Sequence, residues 1–255
     1  MAQQNGVLVV TGGSRGIGAA VSQLAAARGY GVVVNYTSSV EAAERLCATI
    51  HQAGGNAVAV RGDVANPGDI EHIFAVADRM GPLTGLVNNA GVVPSRPMRV
   101  DDTPLDELQR NIDVNITGSF LCAAAAIRRM STKHGGKGGS IVNLSSAAAK
   151  LGGPGAMVAY AATKGAIDSF TIGLALELAG EGIRVNAVRP GIIETDLHAA
   201  GGDPDRVARL APSVPMARPG SAEEVAEAIM WLLSDAAAYT TGAIIPVSGG
   251  RAITP

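Results

Sequence analysis

Apolar residues recur along the chain in two alternating patterns. Short β-branched runs are continuously apolar, which is typical of strands covered on both faces of a parallel sheet. They cover residues 7–11, 32–36, 57–61, 85–89, 140–145, 183–189 and 243–247. The segments between them repeat apolar residues at helical spacing, as Ala43, Leu46, Cys47 and Ile50 do. The pattern therefore predicts strands that alternate with amphipathic helices.

Several helix starts carry sequence markers of their own. Asn66 and Thr103 each precede a proline, which is typical of an N-cap followed by the first helical residue. Ser221, with Glu224 three residues later, predicts a capping box that opens the last long helix.

Strand and helix alternate from end to end, and this predicts an α/β fold. We expect a single Rossmann-type doubly wound domain over residues 1–255, with a parallel sheet of about seven strands and helices on both faces. Prolines are concentrated within residues 190–219, after the sixth predicted strand. A broken connection at that place predicts a substrate-binding lid near residues 192–216, with a plain surface insertion as the alternative.

Composition narrows the class of protein. Of 255 residues, 47% are hydrophobic and only 16% are charged, so the chain can bury a large core and is not disordered. Its 33 glycines show no period of three, which excludes collagen. A net charge of −2 without a basic cluster argues against nucleic-acid binding. No run approaches the ~20 apolar residues of a membrane span.

Cysteine and histidine usage adds two expectations. Cys47 and Cys122 lie in apolar helical patterns, and the first residues lack the basic region of a signal peptide, so we expect a cytoplasmic protein without disulfides. The histidines are scattered without metal-ligand spacing, and we predict no metal site.

A glycine-rich segment follows the first predicted strand and leads into a helix. Gly12 permits a tight turn, Gly16 lets the backbone approach a pyrophosphate, and Gly18 lets helix and strand pack closely. The free N–H groups and the positive dipole at the helix start attract phosphate. The sequence therefore predicts a dinucleotide site. The residues between these glycines are expected to contribute to it, namely Ser14, Arg15 and Ile17.

The end of the second predicted strand bears on which dinucleotide binds. An NAD site usually places Asp or Glu there to hold the ribose 2′-hydroxyl, whereas this chain has Asn35 and Tyr36. Arg15 and the hydroxyls after the strand can hold a 2′-phosphate instead. Those hydroxyls belong to Thr37, Ser38 and Ser39. The sequence favours NADP(H), and NAD remains possible if Arg15 is only a solvated loop charge.

Further motifs extend over the whole chain in a fixed order. T-G-x-x-x-G-x-G occupies residues 11–18, N-N-A-G residues 88–91, Y-x-x-x-K residues 160–164, and P-G-x-x-x-T residues 190–195. In these motifs the chain resembles the short-chain dehydrogenases/reductases in their single-domain form. The resemblance implies an NAD(P)-dependent enzyme that transfers a hydride between the cofactor and a carbonyl or secondary alcohol.

The resemblance also implies individual site residues. Asp63 and Val64 would contact the adenine ring, and Asn115 would be the catalytic asparagine that supports a water relay. The other cofactor contacts that it implies are Asn89, Ala90, Gly91, Tyr160, Lys164, Pro190, Gly191, Ile193 and Thr195.

Tyr160 and Lys164 carry the predicted acid–base chemistry. They lie four residues apart in a helical segment over 159–180, so both side chains project from one face. A free tyrosine has a pKa near ~10, and a neighbouring ammonium is expected to lower that pKa. Hydride transfer leaves negative charge on oxygen, so we assign Tyr160 as the proton donor in reduction and the base in oxidation. By resemblance, Lys164 also binds the nicotinamide ribose.

The family also has a serine that orients the substrate, and its position in this sequence depends on how the motif is aligned. Counting back from the tyrosine, the family's serine position falls on Ala147. Aligning the strand end instead makes Ser146 the catalytic serine, with a one-residue insertion in the loop over 147–159. Ser145 is the alternative and is interpreted as a structural residue of the strand end.

The substrate pocket is expected between Ser146, Tyr160 and residues 192–216. Its lining candidates are Val93, Pro94, Met98, Met157 and Leu197, with Arg96 or His198 available to a polar substrate. A sugar, a β-ketoacyl thioester and a small ketone all remain open as the substrate.

Assembly and the competing functions complete the expectations. The helical segments 112–130 and 158–179 are rich in small residues, and the family is commonly tetrameric, so we expect a homotetramer. One alternative function is an NAD-using sugar or polyol dehydrogenase of the same fold. The other is a non-catalytic dinucleotide-sensing protein, against which the complete catalytic set argues.

Overall fold

A computed structural model describes residues 5–195 and 202–252 of the chain. Its strands are β1 (Val7–Val10), β2 (Gly31–Tyr36), β3 (Asn56–Arg61), β4 (Leu83–Asn88), β5 (Gly139–Leu144), β6 (Ile183–Pro190) and β7 (Ile244–Val247). They form one seven-stranded sheet in the order β3-β2-β1-β4-β5-β6-β7. Every pairing is parallel. The predicted doubly wound α/β sheet is confirmed, because each predicted run overlaps one strand to within two residues at either end.

Helices cover both faces of this sheet. They are α1 (Gly16–Ala27), α2 (Val40–Gln52), α3 (Pro67–Met80), α4 (Leu105–Ile112), α5 (Gly118–Met130), α6 (Ala148–Leu151), α7 (Val158–Leu178), α8 (Arg206–Leu210) and α9 (Ala222–Leu233). One core around Phe74 joins α3, α5 and α7 to the sheet, and a second around Ile229 joins α1, α2 and α9 to its other face. Among the described residues, no helix is both long and apolar enough to cross a membrane.

Two of the predicted helix starts are confirmed. Asn66 accepts hydrogen bonds from the N–H groups of Gly68 and Asp69, at 2.8 and 3.4 Å, ahead of α3. At α9, Ser221 Oγ accepts from Glu224 N–H at 3.2 Å, while Glu224 Oε2 accepts from Ser221 N–H at 2.8 Å. Both helices therefore begin with their first N–H groups satisfied by side chains.

The third predicted start is wrong by one residue. Pro104, not Thr103, is the N-cap of α4. Residues Val100–Asp102 form a short 3₁₀ turn, and the Thr103 hydroxyl donates to the carbonyl oxygen of Arg99 at 2.7 Å. The hydroxyl is thereby used by the preceding turn instead of by the helix.

The sheet opens a crevice at its carboxyl edge. From β1 the chain builds outward to β2 and β3, and from β4 it builds outward in the opposite direction. Parallel sheets bind ligands where the order reverses in this way, because neighbouring loops diverge there.

The two ends of the connection from β6 to α9 lie side by side next to the sheet. Glu194 N–H donates to the carbonyl oxygen of Gly220 at 2.9 Å, and Gly220 N–H donates to that of Ile192 at 2.9 Å. Ile193 and Gly220 thus form a short parallel bridge beside β6. The predicted lid segment near residues 192–216 falls within this connection, and its residues 196–201 lie outside the described part of the chain.

Candidate active site

A cleft of about 560 Å³ lies over the carboxyl ends of the strands. One end is formed by the glycine loop and the ends of β2 and β3, and the other by residues around Tyr160 and α8. Its volume is in the range of small-molecule and cofactor sites. The cleft therefore joins the predicted cofactor site to the predicted catalytic residues.

The glycine loop is held in place by the loop after β4. Thr11 Oγ1 accepts from the N–H groups of Asn89 and Ala90, both at 3.0 Å. The side-chain Nδ2 of Asn89 donates to the carbonyl oxygens of Thr11 and Gly12, both at 2.9 Å. The N-N-A-G motif thus braces the turn that precedes α1.

At two positions of this loop, steric contacts explain why the residue is glycine. Gly16 has a φ of +51°, and a Cβ there would lie 3.2 Å from Thr195 Cγ2. A Cβ on Gly18 would clash with the carbonyl oxygen of Gly12 and lie 2.6 Å from Asn89 Nδ2. Gly18 consequently serves helix packing, while Gly16 keeps a narrow gap open between the loop and Thr195.

The start of α1 fits a phosphate group. Unlike α3 and α9, α1 receives no side-chain cap from the part of the chain that the structure describes. Its first residues, Gly16 and Ile17, line the cleft beside Arg15. An uncapped helix start within a glycine cradle provides oriented donors and a positive dipole end for the pyrophosphate of a dinucleotide.

At the end of β2, Asn35 is a structural residue. It is buried, its Oδ1 accepts from Gly12 N–H at 3.2 Å, and its Nδ2 donates to the Gly62 carbonyl oxygen at 2.9 Å. The amide therefore ties the glycine loop to the end of β3. Tyr36 and Thr37 face the cleft after it.

The adenine end of the cleft contains one carboxylate that is already paired. Asp63 Oδ1 accepts from Ala65 N–H at 2.9 Å, and Asp63 Oδ2 accepts from Arg110 Nη1 at 3.0 Å. Asp63 and Val64 both line the cleft, so they form its wall beside the predicted adenine position.

Three predicted catalytic side chains meet at the other end. Tyr160 is only 8% exposed, and the Ser146 hydroxyl lies close enough to its phenol for hydrogen bonding to act on the pKa of Tyr160. Lys164, one turn along α7, lies with its Nζ 5.6 Å from the centre of the Tyr160 ring. That Nζ donates to the carbonyl oxygen of Leu144 at 2.6 Å. The geometry combines a proton donor, a polarising hydroxyl and a buried cation.

The expected effect of Lys164 on Tyr160 is corrected by this geometry. Burial raises the pKa of Tyr160, while the hydrogen bond with Ser146 and the charge of Arg206 act to lower it. Burial also lowers the pKa of Lys164 to about 8, against the opposing influence of Asp168. Helical spacing places the ammonium on the same face as the phenol. The pKa of Tyr160 is nevertheless raised, because the phenol lies in the interior and desolvation is the largest influence on it.

The two adjacent serines have different surroundings. Ser145 is buried, and its hydroxyl donates to the carbonyl oxygen of Lys164 at 3.2 Å. Ser146 Oγ accepts from Ala148 N–H at 3.1 Å and faces Tyr160. Ser145 thus holds α7 against β5, and Ser146 is the hydroxyl that reaches the phenol.

Asn115 lies beneath the cleft in a π-helical turn, Asp113–Thr117, that joins α4 to α5. Its Oδ1 accepts from Val92 N–H at 2.8 Å, and its Nδ2 donates to the Val92 carbonyl oxygen at 2.9 Å. The same Nδ2 donates to Thr163 Oγ1 at 3.0 Å, in α7. Asn115 therefore links the loop after β4 to the catalytic helix.

Most of the predicted cofactor contacts line the cleft together. They are Gly12, Ser14, Arg15, Gly16, Ile17, Asn35, Tyr36, Thr37, Asp63, Val64, Asn89, Ala90, Gly91, Tyr160, Lys164, Pro190, Gly191, Ile193 and Thr195. Gly18 and Ser38 do not: Gly18 is enclosed by protein, and Ser38 points to solvent while Ser39, at the start of α2, lines the cleft instead.

The predicted substrate pocket is formed in part. Val93, Pro94, Arg96 and Met157 line the cleft. Met98 is instead buried, in a bridge with Met157. Leu197 and His198 lie outside the described residues. Sequence reasoning missed several lining residues, namely Asp203, Arg206 and Leu210 of the lid region and Arg251 after β7. The concentration of prolines marked this region without marking those side chains.

Comparison with known sequences agrees with this geometry. A family model described as enoyl-(acyl carrier protein) reductase matches residues 12–252. The chain is 49% identical over 246 residues to the "Uncharacterized oxidoreductase YgfF" of Escherichia coli, covering 96% of this chain and 99% of that protein. It is 40% identical to a 3-oxoacyl-[acyl-carrier-protein] reductase of Synechocystis, covering 96% of each.

Solved structures of dehydrogenases and reductases are also similar to this chain over nearly its whole length. A short-chain dehydrogenase/reductase from Serratia marcescens superposes with a TM-score of 0.89 at 32% identity, covering 98% of each chain. A 3-oxoacyl-[acyl-carrier protein] reductase with bound NAD from Brucella melitensis superposes with a TM-score of 0.86 at 33% identity, covering 99% of this chain and 93% of that one.

Proposed function

This chain belongs to the short-chain dehydrogenase/reductase family and is an NAD(P)-dependent oxidoreductase acting on CH–OH or carbonyl groups, and we propose that NADP(H) is its cofactor and Tyr160 its general acid and base. Its substrate would be a ketone or a secondary alcohol. The observation that carries the proposal is the meeting of Ser146, Tyr160 and Lys164 at one end of a cleft whose other end is a glycine cradle.

The catalytic step follows from the chemistry of these side chains. A nicotinamide cofactor bound in the glycine cradle would supply the hydride in reduction and accept it in oxidation. Ser146 donates a hydrogen bond to the carbonyl oxygen, and the Tyr160 hydroxyl transfers its proton to that oxygen as negative charge develops. The Lys164 ammonium stabilises the phenolate that remains, because opposite charges attract strongly in a buried site. In oxidation, the phenolate takes the alcohol proton.

Asn115 has a positioning role in this proposal. Its side chain fixes Val92 on one side and Thr163 on the other. Thr163 in turn donates to the Tyr160 carbonyl oxygen at 2.7 Å. Asn115 thus holds the catalytic helix in register with the loop that lines the nicotinamide end of the cleft.

The preference for NADP(H) rests on the charges around the end of β2. The cleft wall carries Arg15 and Tyr36 there, and the buried neighbour of Tyr36 is the neutral amide of Asn35. A 2′-phosphate would meet a guanidinium and hydroxyl groups. The bound NAD of the Brucella reductase belongs to that protein, and NAD is the alternative here.

Initial rates with NADPH and NADH, at matched carbonyl substrate, test this preference. The wild type should have the higher kcat/KM with NADPH, and Arg15→Gln should reduce that advantage roughly tenfold, as expected for one charged hydrogen bond. Arg45→Gln, an equal change of charge on the exposed side of α2, serves as the control. A higher kcat/KM with NADH would instead establish the NAD-using alternative.

We also propose assembly into a homotetramer. Phe120 on α5 stacks on Phe170 of α7 with ring centres 3.9 Å apart, yet Phe120 is 47% exposed. Ile172 and Leu176 of α7 are exposed as well. Such an apolar face on two neighbouring helices is suited to burial against another subunit. Sedimentation should give a tetramer, and Leu176→Glu should dissociate it into smaller species.

A cytoplasmic location is proposed on the state of the thiols. Cys47 and Cys122 are both buried and free. Free buried cysteines are compatible with a reducing compartment.

A further inference from the structure

Arg206 lies inside the substrate end of the cleft, although it belongs to the lid region. It begins α8, and its side chain is only 18% exposed. Its Nη2 is 3.9 Å from the Met157 sulfur, at the N-cap of the helix that carries Tyr160. Its charge acts on the Tyr160 phenol. The guanidinium therefore faces the place where a substrate must lie to reach the phenol.

The hydrogen-bonding groups of Arg206 are poorly used by the protein. Its Nε is buried without a hydrogen-bond partner among the described residues. Its Nη1 is 3.6 Å from Asp203 Oδ2, which exceeds hydrogen-bond length. Its remaining described contact is the thioether of Met157, a weak acceptor. A guanidinium has five N–H donors, and leaving them unmatched in a buried place is costly.

The nearby carboxylate of Asp203 is shared between Arg206 and a second arginine, which holds it more closely. Arg209 donates to Asp203 Oδ1 and Oδ2 at 3.0 and 2.6 Å. Arg209 does not line the cleft, whereas Arg206 does. Arg96 and Arg251 line it too, and Arg251 donates to Ser213 Oγ at 3.0 Å. Among the described residues that line this end of the cleft, one carboxylate is shared among these cations, so those residues together carry excess positive charge.

We propose that Arg206 binds a carboxylate of the substrate, so that the enzyme acts on oxo acids and the corresponding hydroxy acids. The planar fork of a guanidinium matches a carboxylate with two parallel hydrogen bonds. The carbonyl carbon of the substrate would lie toward Ser146 and Tyr160, and the carboxylate toward α8. This inference rests on the proposed function and names the substrate class of the same site.

A pair of matched substrates tests the proposal. Oxo acids of increasing chain length and their methyl esters differ only in the charge at one end. With NADPH, the wild type should reduce the best oxo acid with a kcat/KM roughly ten- to a hundredfold above that of its ester, the range expected for one charged pair of hydrogen bonds. Arg206→Gln should remove this preference, because it should lower kcat/KM for the acid far more than for the ester, and it should leave the KM for NADPH unchanged.

Two further variants separate recognition from folding. Arg206→Lys keeps the charge but loses the fork, so it should retain part of the preference. Arg99→Gln removes an exposed arginine that lies outside the cleft. This variant should retain the full preference for the oxo acid over its ester.

The possible results are distinguishable. No preference for the acid in the wild type, or an equal loss for acid and ester in Arg206→Gln, would overturn this proposal while leaving the proposed function intact. If neither acid, ester nor simple ketone reacts with either coenzyme, the proposed function fails instead. Calorimetric titration of the NADPH-loaded protein with the oxo acid then decides the inference, since binding that Arg206→Gln abolishes supports it and absent binding overturns it.

Discussion

The ammonium of Lys164 donates a 2.6 Å hydrogen bond to the carbonyl oxygen of Leu144, the last residue of β5. This contact holds a charged side chain that is only 4% exposed against the edge of the sheet. Asp168 is the nearby group that favours the charge, but its own carboxylate is paired with Arg189 at 2.7 Å. The cation is therefore kept in the interior at a cost in stability.

That cost predicts a dependence of stability on pH. The pKa of Lys164 is lowered from 10.5 to about 8 in the folded protein, so between these values the unfolded chain binds more protons than the folded one. The free energy of unfolding should consequently rise with pH across this window, by at most about 3 kcal/mol from this one group. Urea unfolding at steps between pH 7 and pH 10 measures it.

Two variants isolate the contribution of Lys164 to this pH dependence. Lys164→Met lacks the group, so its free energy of unfolding should fall behind that of the wild type as the pH rises through 8. Lys150→Met removes an exposed lysine and should follow the wild type. A constant difference between Lys164→Met and the wild type over the whole window would contradict the prediction.

Tyr160→Phe removes the proposed proton donor without changing the shape of the ring. Turnover should fall by roughly 10²- to 10⁴-fold, the usual contribution of general acid–base catalysis. Binding of NADPH, followed by fluorescence, should change little. Tyr239→Phe makes the same chemical change at a fully exposed position and should leave both unaffected. Unchanged turnover in Tyr160→Phe would refute the assignment.

The neighbouring serines should separate catalysis from stability. Ser146→Ala should lower kcat strongly with little change in unfolding, because it removes the hydroxyl that reaches Tyr160. Ser145→Ala should instead cost about 1 kcal/mol of stability, the typical value of a buried hydrogen bond, with kcat nearly retained. The reverse pattern would move the catalytic role to Ser145.

Coenzyme preference should be adjustable at Tyr36 and not at Asn35. Tyr36→Asp places a carboxylate on the cleft wall, where it repels a 2′-phosphate and can hold a 2′-hydroxyl, so the ratio of kcat/KM should shift toward NADH. Asn35→Asp loses the donor to the Gly62 carbonyl oxygen and places a charge beside it, so we expect a loss of about 1–3 kcal/mol in stability. A preference switch in Asn35→Asp without destabilisation would contradict this assignment of roles.

The sequence predicted those features that depend on neighbours along the chain. Strand positions follow from continuous apolar runs, and the capping box at Ser221 follows from two residues three apart. The glycine loop followed by a helix is also local. Because parallel strands bring their carboxyl ends to one edge, the order of motifs was sufficient to predict that distant residues such as Gly16 and Tyr160 share a cleft.

Features that depend on burial were not predictable in the same way. The pKa of Tyr160 is raised because of its depth in the interior, and no spacing of residues conveys depth. Asn35 is buried and bonded to both the glycine loop and the end of β3, whereas the sequence shows only a missing carboxylate. Arg206 enters the cleft through the path of the lid region, which has no periodic pattern.

The bridge between Ile193 and Gly220 fixes both ends of the connection from β6 to α9 beside the sheet. Its two ends are joined by backbone hydrogen bonds, so a different segment with the same end residues could be inserted there without changing the sheet or the glycine loop. Substrate choice can then change by exchange of residues 196–219, while Thr195 stays with the coenzyme half of the cleft. A chimaera that carries the segment of a relative offers a direct route to new substrates on this framework.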